Sequence, residues 1–277
     1  MEKIIVGYQG EHGTFSEIAV HHYYANEQFE ARNYTNFIDI LNDLESGKID
    51  TALLPVENST TGIIYRTYDL LKDRDVFAIG EINVRIMENL IGIPGSSITM
   101  IEEVYSHPEA LSQCQGFFLK YPNMKAIPYQ DTAKSVEFIK TCNDPKKGAL
   151  ASYLAAEYYD CPILEKNVND NELNTTRFLC VCKGQRIVEH ANKISMYFVV
   201  NHQPGTLYEV IKIFAENHIN MLKLESRPLK GRLFEYCFYI DFDGSLENPV
   251  VQEAMNQVKN LCVEMKCLGS YCKATEE

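Results

Sequence analysis

The segment Asn174-Thr-Thr-Arg-Phe178 sets an amide, two hydroxyls and a guanidinium directly before the apolar run 178–182. Thr175 and Thr176 carry hydroxyls that can donate a hydrogen bond or a proton, and the planar fork of Arg177 suits a carboxylate. A strand edge with a surface arginine is the plainer reading of the same residues. Pro55-Val-Glu-Asn-Ser-Thr-Thr-Gly62 brings the Glu57 carboxylate, the Asn58 amide and three hydroxyls, Ser59 among them, to the end of a buried strand. The carboxyl ends of strands in an α/β sheet are where ligands bind; the alternative is an ordinary capped loop. Ser106-His-Pro-Glu-Ala-Leu-Ser-Gln-Cys114 also begins at a strand end. Ser106 is a natural N-cap, Pro108 a first-turn proline, and Gln113 lies on the helix they start.

Other clusters are more ambiguous. Gly7, Gly10 and Gly13 lie between a strand and a helix, but Gln9 breaks the Gly-x-Gly-x-x-Gly dinucleotide fingerprint. What remains is a helix N-terminus at Thr14, an anion site in principle and a structural turn otherwise. Asp131 reads as an N-cap. Further on, Gly205, Thr206 and Leu207 open a helix, where a glycine permits close approach of a ligand or a second backbone. Glu225, Ser226 and Arg227 close a strand with charges of both signs. That suits a small amphoteric ligand, or simply a turn with an ion pair.

These groups need elements to hold them. Residues 3–8 read as a buried strand, and 14–24 as a helix with a Thr14/Glu17 capping box. Phe37, Ile40, Leu41 and Leu44 have the spacing of one helix face over 36–46. A short strand at 51–55, a helix at 63–72 and two strands within 76–93 follow. Then come a strand at 103–106, a helix over 108–120, a strand at 125–128, a helix from 131 to about 141, a strand at 148–151 and a helix at 152–159. Residues 163–182 return to extended structure. Strands alternating with helices of this length predict a mostly parallel sheet. After a polar linker at 183–193 the order becomes strand 194–200, helix from 204, strands 220–227 and 233–242 around a Lys230-Gly231 turn, helix 249–261 and strand 263–272. That is βαββαβ, a ferredoxin-like arrangement.

The chain has 277 residues, 45% hydrophobic and 23% charged, which describes a globular protein of two domains. A net charge of −12 argues against coating nucleic acid or anionic membrane. No apolar run is long enough for a transmembrane helix and no signal peptide is legible, so a cytoplasmic location is expected. The nine cysteines, without a Cys-x-x-Cys pair, read as reduced thiols rather than a zinc site. No metal and no cofactor is expected.

Taken in order, Gly10-x-x-Gly-Thr-Phe-Ser-Glu17, Pro55-Val-Glu-Asn-Ser59, Ser106-His-Pro108 with Gln113-Cys114, Asp131-Thr-Ala133 and Asn174-x-Thr-Arg-Phe178 resemble the prephenate dehydratase family. Any one motif is weak; five in order are specific. The C-terminal Gly205-Thr-Leu207 and Glu225-Ser-Arg-Pro228 resemble the two phenylalanine-binding motifs of the ACT regulatory domain in that family, with Thr206 where alanine is commoner.

The resemblance implies an α/β fold with two lobes like a periplasmic binding protein, followed by an ACT domain. The catalytic domain is expected over 1–185 (lobe 1 about 1–78 and 160–185, lobe 2 about 79–159) and the ACT domain over 193–277. The implied activity is that of a carbon–oxygen lyase converting prephenate to phenylpyruvate, water and carbon dioxide, inhibited by L-phenylalanine at an interface between ACT domains. A homodimer or homotetramer follows. The chain starts at its first strand, so a fused chorismate mutase is not expected. By resemblance Thr176 is the acid, and Arg177 is expected near it in the cleft. Thr14, Asn58, Ser59, Ser106, Gln113 and Thr175 are candidate substrate donors. Glu57 has two readings: it orients neighbouring donors, or it repels a dianion. Gly205, Thr206, Leu207, Glu225, Ser226 and Arg227 are the implied effector residues. Arogenate dehydratase and a non-enzymatic amino acid sensor are the alternatives.

Overall fold

The computed structural model describes residues 3–229 and 231–275. The chain begins with β1 (Ile4–Gln9), α1 (Phe15–Tyr23), β2 (Phe29–Tyr34), α2 (Phe37–Glu45), β3 (Thr51–Asn58), the short β4 (Gly62–Ile63), α3 (Tyr65–Asp73) and β5 (Val76–Arg85). A second group follows: β6 (Asn89–Ile91), β7 (Glu103–Ser106), α4 (Pro108–Ser112), α5 (Gln115–Lys120), β8 (Lys125–Pro128), α6 (Thr132–Cys142), β9 (Lys147–Ala151), α7 (Tyr153–Tyr158) and β10 (Ile163–Glu165). β11 (Thr175–Lys183) returns to the first group. The last unit is β12 (Lys193–Val200), α8 (Thr206–Glu216), β13 (Met221–Pro228), β14 (Tyr236–Asp243), α9 (Pro249–Leu261) and β15 (Cys262–Tyr271), the expected βαββαβ order.

The α/β class and the two lobes are as expected. One lobe is built on β5-β11-β3-β1-β2, the other on the five-stranded sheet β10-β6-β9-β7-β8. Sheet membership moves both expected lobe boundaries. β5 stays in the first sheet through Arg85 and β10 still pairs with β6, so the chain crosses between Arg85 and Asn89 and returns between Glu165 and Thr175. The sheets are mixed: β1 runs parallel to β2 and β3, while β11 is antiparallel to both β3 and β5. β11 is the returning strand, and it arrives in the opposite sense.

Several local expectations change. β2 carries Glu, Arg and Asn among its six residues, which hides a strand that joins the sheet edge. β3 runs on to Asn58, because Pro55 to Asn58 pair with Phe178 to Thr176 of β11. The expected 108–120 helix breaks at Gln113 and Cys114 into α4 and α5. The capping box at Thr14 does not form: its Oγ1 donates to the Glu11 carbonyl at 2.9 Å, and Glu17 accepts from the Gly13 N–H at 2.6 Å. Of the Lys230-Gly231 turn, Lys230 lies outside the described residues.

The third unit is not a bead on a linker. β15 pairs in parallel with β5 at Gly269 and Ala78, which fuses its sheet with that of the first lobe into ten strands. A Cβ on Gly269 would stand 2.4 Å from the Cβ of Ala78 and 2.5 Å from its carbonyl oxygen, so only glycine permits the approach. β12 is buried along its whole length. Ile194, Met196 and Phe198 pack under α8 and α9, while Tyr197 and Val199 join Tyr68, Leu71 and Leu179 of the first lobe in one core. This is why 194–200 is apolar on both faces.

Candidate active site

Alternation along β11 sorts its residues between two environments. Phe178 and Cys180 pack with α1, whereas Leu179 and Val181 pack with α2 and α3. Thr176 therefore shares a face with Phe178, and Arg177 faces the other way.

On the Thr176 side lies a cavity of about 380 Å³ between the two lobes. Asn58, Gln113 and Thr176 line it, together with Gln9, Phe15, Glu88, His107 and Asp131. Its polar groups form an oriented chain. Asn58 Oδ1 accepts the backbone N–H groups of Thr60 and Thr61, each at 2.9 Å. Backbone N–H can only donate, so the Asn58 amide orientation is fixed and its Nδ2 must face the other way. That nitrogen donates to Thr176 Oγ1 at 3.0 Å and to Asn174 Oδ1 at 2.8 Å. Asn174 in turn donates to Gln113 Oε1 at 2.8 Å, and Gln113 to Glu109 Oε1 at 3.2 Å. The chain thus links β3 and β11 to α4 in the opposite lobe. Because Thr176 Oγ1 receives a hydrogen bond from Asn58, its own O–H is left to donate, and it has no acceptor among the described residues.

The lobes also meet at Gly13. A Cβ there would lie 2.5 Å from the Ala155 Cα, and its φ of +88° is itself a glycine conformation. Ser152 Oγ donates to the Gly13 carbonyl at 2.5 Å, and His12 stacks on Tyr158 with centroids 5.0 Å apart.

Thr14, Ser59, Ser106 and Thr175 do not line the cavity and instead brace its walls. Thr14 is tied to Glu11, Ser106 Oγ donates to the Leu150 carbonyl at 2.7 Å, and Thr175 N–H donates to Ser59 Oγ at 2.9 Å. His107 rather than Ser106 caps α4, and α3 begins at Tyr65. His107 Nδ1 accepts the Glu109 N–H at 3.2 Å, which leaves Nε2–H as a donor.

Arg177 and Glu57 correct the expectation most. Neither lines the cavity. Arg177 reaches Asp241 of β14 at 2.8 Å, Glu57 at 2.9 Å and Glu81 at 3.0 Å. Lys193 binds Glu81 at 2.8 Å, and Lys223 reaches Asp241 at 3.3 Å. The Tyr68 hydroxyl accepts from Arg177 and Lys223, and Ser195 Oγ donates to Asp241. Three cations and three carboxylates so form a seam between the first lobe and the C-terminal unit. Burial alone would push the Asp241 carboxyl up, but Arg177, Lys223 and Lys193 hold it well below the usual carboxylate range. Burial lowers the Lys223 ammonium, against the pull of Asp241.

A second cavity of about 260 Å³ is lined by Gly205, Thr206, Leu207, Tyr208, Tyr236 and Phe238, among others. Glu225 and Arg227 point elsewhere: Arg227 binds Asp69 of α3 at 2.8 Å, and Tyr65 of α3 donates to Glu225 at 3.4 Å. Ser226, between them, pairs with Phe238. Sequence reading overlooked Glu88. The residue lies between Met87 and Asn89 and belongs to none of the motifs, and burial alone distinguishes it.

The sequence pattern described as "Prephenate dehydratase" matches residues 6–186. A bifunctional chorismate mutase/prephenate dehydratase of Aquifex aeolicus is 35% identical over 99% of this chain and 75% of its own length. Arogenate dehydratase/prephenate dehydratase 2 of Arabidopsis thaliana is 33% identical over 97% of this chain and 73% of its own. Among solved structures, prephenate dehydratase of Arthrobacter aurescens in complex with L-Phe superposes with a TM-score of 0.88 at 28% identity, covering 98% of this chain and 90% of that one. A protein described as a novel type of quorum quenching acylase, GqqA, has a TM-score of 0.89 at 28% identity, covering 98% of each chain. With about two thirds of its length inside the family pattern and relatives at least 30% identical over nearly all of it, the chain belongs to the prephenate dehydratase family.

Proposed function

We propose that this protein converts prephenate to phenylpyruvate and that its C-terminal unit is an ACT domain through which L-phenylalanine inhibits it. The observation that carries the catalytic reading is the fixed Asn58–Thr176 hydrogen bond, which leaves the Thr176 proton directed at the cavity. In the reaction the ring carboxylate departs as carbon dioxide, and its bonding pair enters the ring. The ring becomes aromatic and expels the hydroxyl group, which leaves as water once protonated. Aromatisation supplies the driving force, so the site needs a placed proton and an oriented substrate rather than a strong nucleophile. Thr176 donates that proton. Asn58 holds its oxygen, while Gln113 and His107 orient the substrate from the opposite lobe.

Residues 1–185 form the catalytic domain in this reading, and 193–277 the regulatory one. The cavity at Gly205, Thr206 and Leu207 holds the effector, beside a second ACT domain in a homodimer or homotetramer working in the cytoplasm. The seam around Arg177 supports a coupling between the two sites, since Thr176 and Arg177 are neighbours on one strand. Incubation with prephenate, with phenylpyruvate read by ultraviolet absorbance with and without L-phenylalanine, tests both parts. The Arabidopsis relative's name favours one second reading, arogenate as substrate. Comparing kcat/KM on the two substrates separates them.

A further inference from the structure

The active-site cavity has to bind a dianion, yet no Lys or Arg lines it among the described residues. Its titratable lining is Glu88, His107, Glu109 and Asp131, three of the four acidic. Glu88 differs from the other two carboxylic acids. Asp131 accepts the N–H groups of Ala133 and Lys134 as the cap of α6, and Glu109 accepts from Gln113. Glu88 is 2% exposed, and its Oε2 has no hydrogen-bond partner among the described residues. Its backbone is pinned where the chain crosses between the lobes. The Glu88 N–H donates to Asn169 Oδ1 at 3.2 Å, and its carbonyl accepts the Val168 N–H at 2.8 Å. A buried, ionised carboxylate without a partner is costly, whereas the neutral acid is a hydrogen-bond donor in want of an acceptor.

We propose that Glu88 contacts the substrate, its carboxyl group donating a hydrogen bond to the side-chain carboxylate of prephenate. This rests on the prephenate reading above. The side-chain carboxylate is retained in the product, and a donor there leaves the departing ring carboxylate free to release its electron pair. Desolvation, with the negative charge of Asp131 second, raises the Glu88 carboxyl to about 8, so that it stays protonated at neutral pH. A carboxylic acid kept neutral by its surroundings so that it can donate is a known device for anionic ligands in an apolar site. The other titratable groups facing it are Cys114, a thiol that burial pushes up and that feels the Glu88 charge, and His107 and Glu109 at the start of α4.

The test measures kcat and KM for prephenate, and phenylpyruvate binding by calorimetry, from pH 6.5 to 9.5 in the full-length protein. The unmodified enzyme is expected to lose affinity about tenfold between pH 7 and pH 9, with kcat much less affected. Glu88→Gln, which donates at every pH, should keep the affinity and flatten its pH dependence. Glu88→Met should raise KM about tenfold at all pH values while changing kcat less than threefold. A flat KM in the unmodified enzyme, an unchanged pH dependence in Glu88→Gln, or normal affinity in Glu88→Met would overturn the proposal. So would loss of kcat in Glu88→Gln at unchanged KM, which would make Glu88 a proton donor. Turnover of prephenate with any of those results leaves the function standing and removes only Glu88; absence of both turnover and phenylpyruvate binding removes the function.

Discussion

Thr176 and Arg177 are adjacent on β11 and serve opposite faces of one sheet: Thr176 accepts from Asn58 at the cavity, and Arg177 binds Asp241 of the C-terminal unit at 2.8 Å. A Thr-Arg pair that reads as one functional cluster is therefore two, separated by the alternation of a strand.

The oriented Asn58 amide gives the sharpest catalytic prediction. Thr176→Ala should lower kcat on prephenate by roughly two orders of magnitude or more, the scale of a lost proton donor. Asn58→Asp presents only acceptors, so Thr176 would turn its proton back to residue 58. A comparable loss of kcat is expected, with KM changed less; steady-state kinetics on both variants settles it.

Removing one member of the seam should destabilise the fold without emptying the cavity. Asp241→Ala leaves Arg177, Lys193 and Lys223 short of a buried counter-charge, for an expected cost of about 3–5 kcal/mol in chemical denaturation. The sign with pH follows from the depressed Asp241 carboxyl. Its stabilisation is full above the ordinary carboxylate range and is lost as pH falls through and below about 4. The unmodified protein should thus lose stability on acidification more steeply than the variant.

Glu88 has the opposite sign. Its carboxyl ordinarily titrates at 4.5 and is raised to about 8 in the fold, so its stabilising contribution is full below about 4.5 and is lost as pH rises to about 8. Glu88→Gln should leave Tm nearly unchanged at pH 5 and raise it at pH 8, by the equivalent of roughly several kcal/mol. Calorimetric scans at the two pH values give the comparison.

Gly13→Ala should hold the lobes apart. A methyl group 2.5 Å from the Ala155 Cα cannot be accommodated, and the φ of +88° penalises any side chain. A fall in kcat/KM of tenfold or more is expected, beyond what a loss of thermal stability alone accounts for; kinetics well below Tm distinguishes the two.

Most of the architecture was legible because its signals are local. Phe37, Ile40, Leu41 and Leu44 mark α2 by spacing alone, and the six elements of the C-terminal unit appear in the order read from the sequence. Asn58, Gln113 and Thr176 were legible as polar residues at strand and helix ends, and the structure brings them to one cavity. The direction of Arg177 and Glu57 was not. It depends on Asp241 and Lys223, far along the chain, whose charges inside strands carry no local mark of a partner. Glu225 and Arg227 follow the same logic, turned toward Tyr65 and Asp69 by docking of the C-terminal unit. Ser106, Thr14 and Ser59 are hydroxyls near a site, and composition cannot tell a hydroxyl that meets a ligand from one that meets a carbonyl.

The junction at Gly269 and Ala78 bears on modularity. Cutting the chain ahead of β12 would not release an intact two-lobed enzyme. It would turn β5 into a bare sheet edge, with unpaired backbone groups ready to recruit another chain, and strip the cover from Tyr68, Leu71 and Leu179. Glu81 would lose Lys193 in the same cut. Aggregation of such a truncated chain would then say nothing about regulation, and intact protein with point changes at the seam is the sounder route to separating control from catalysis.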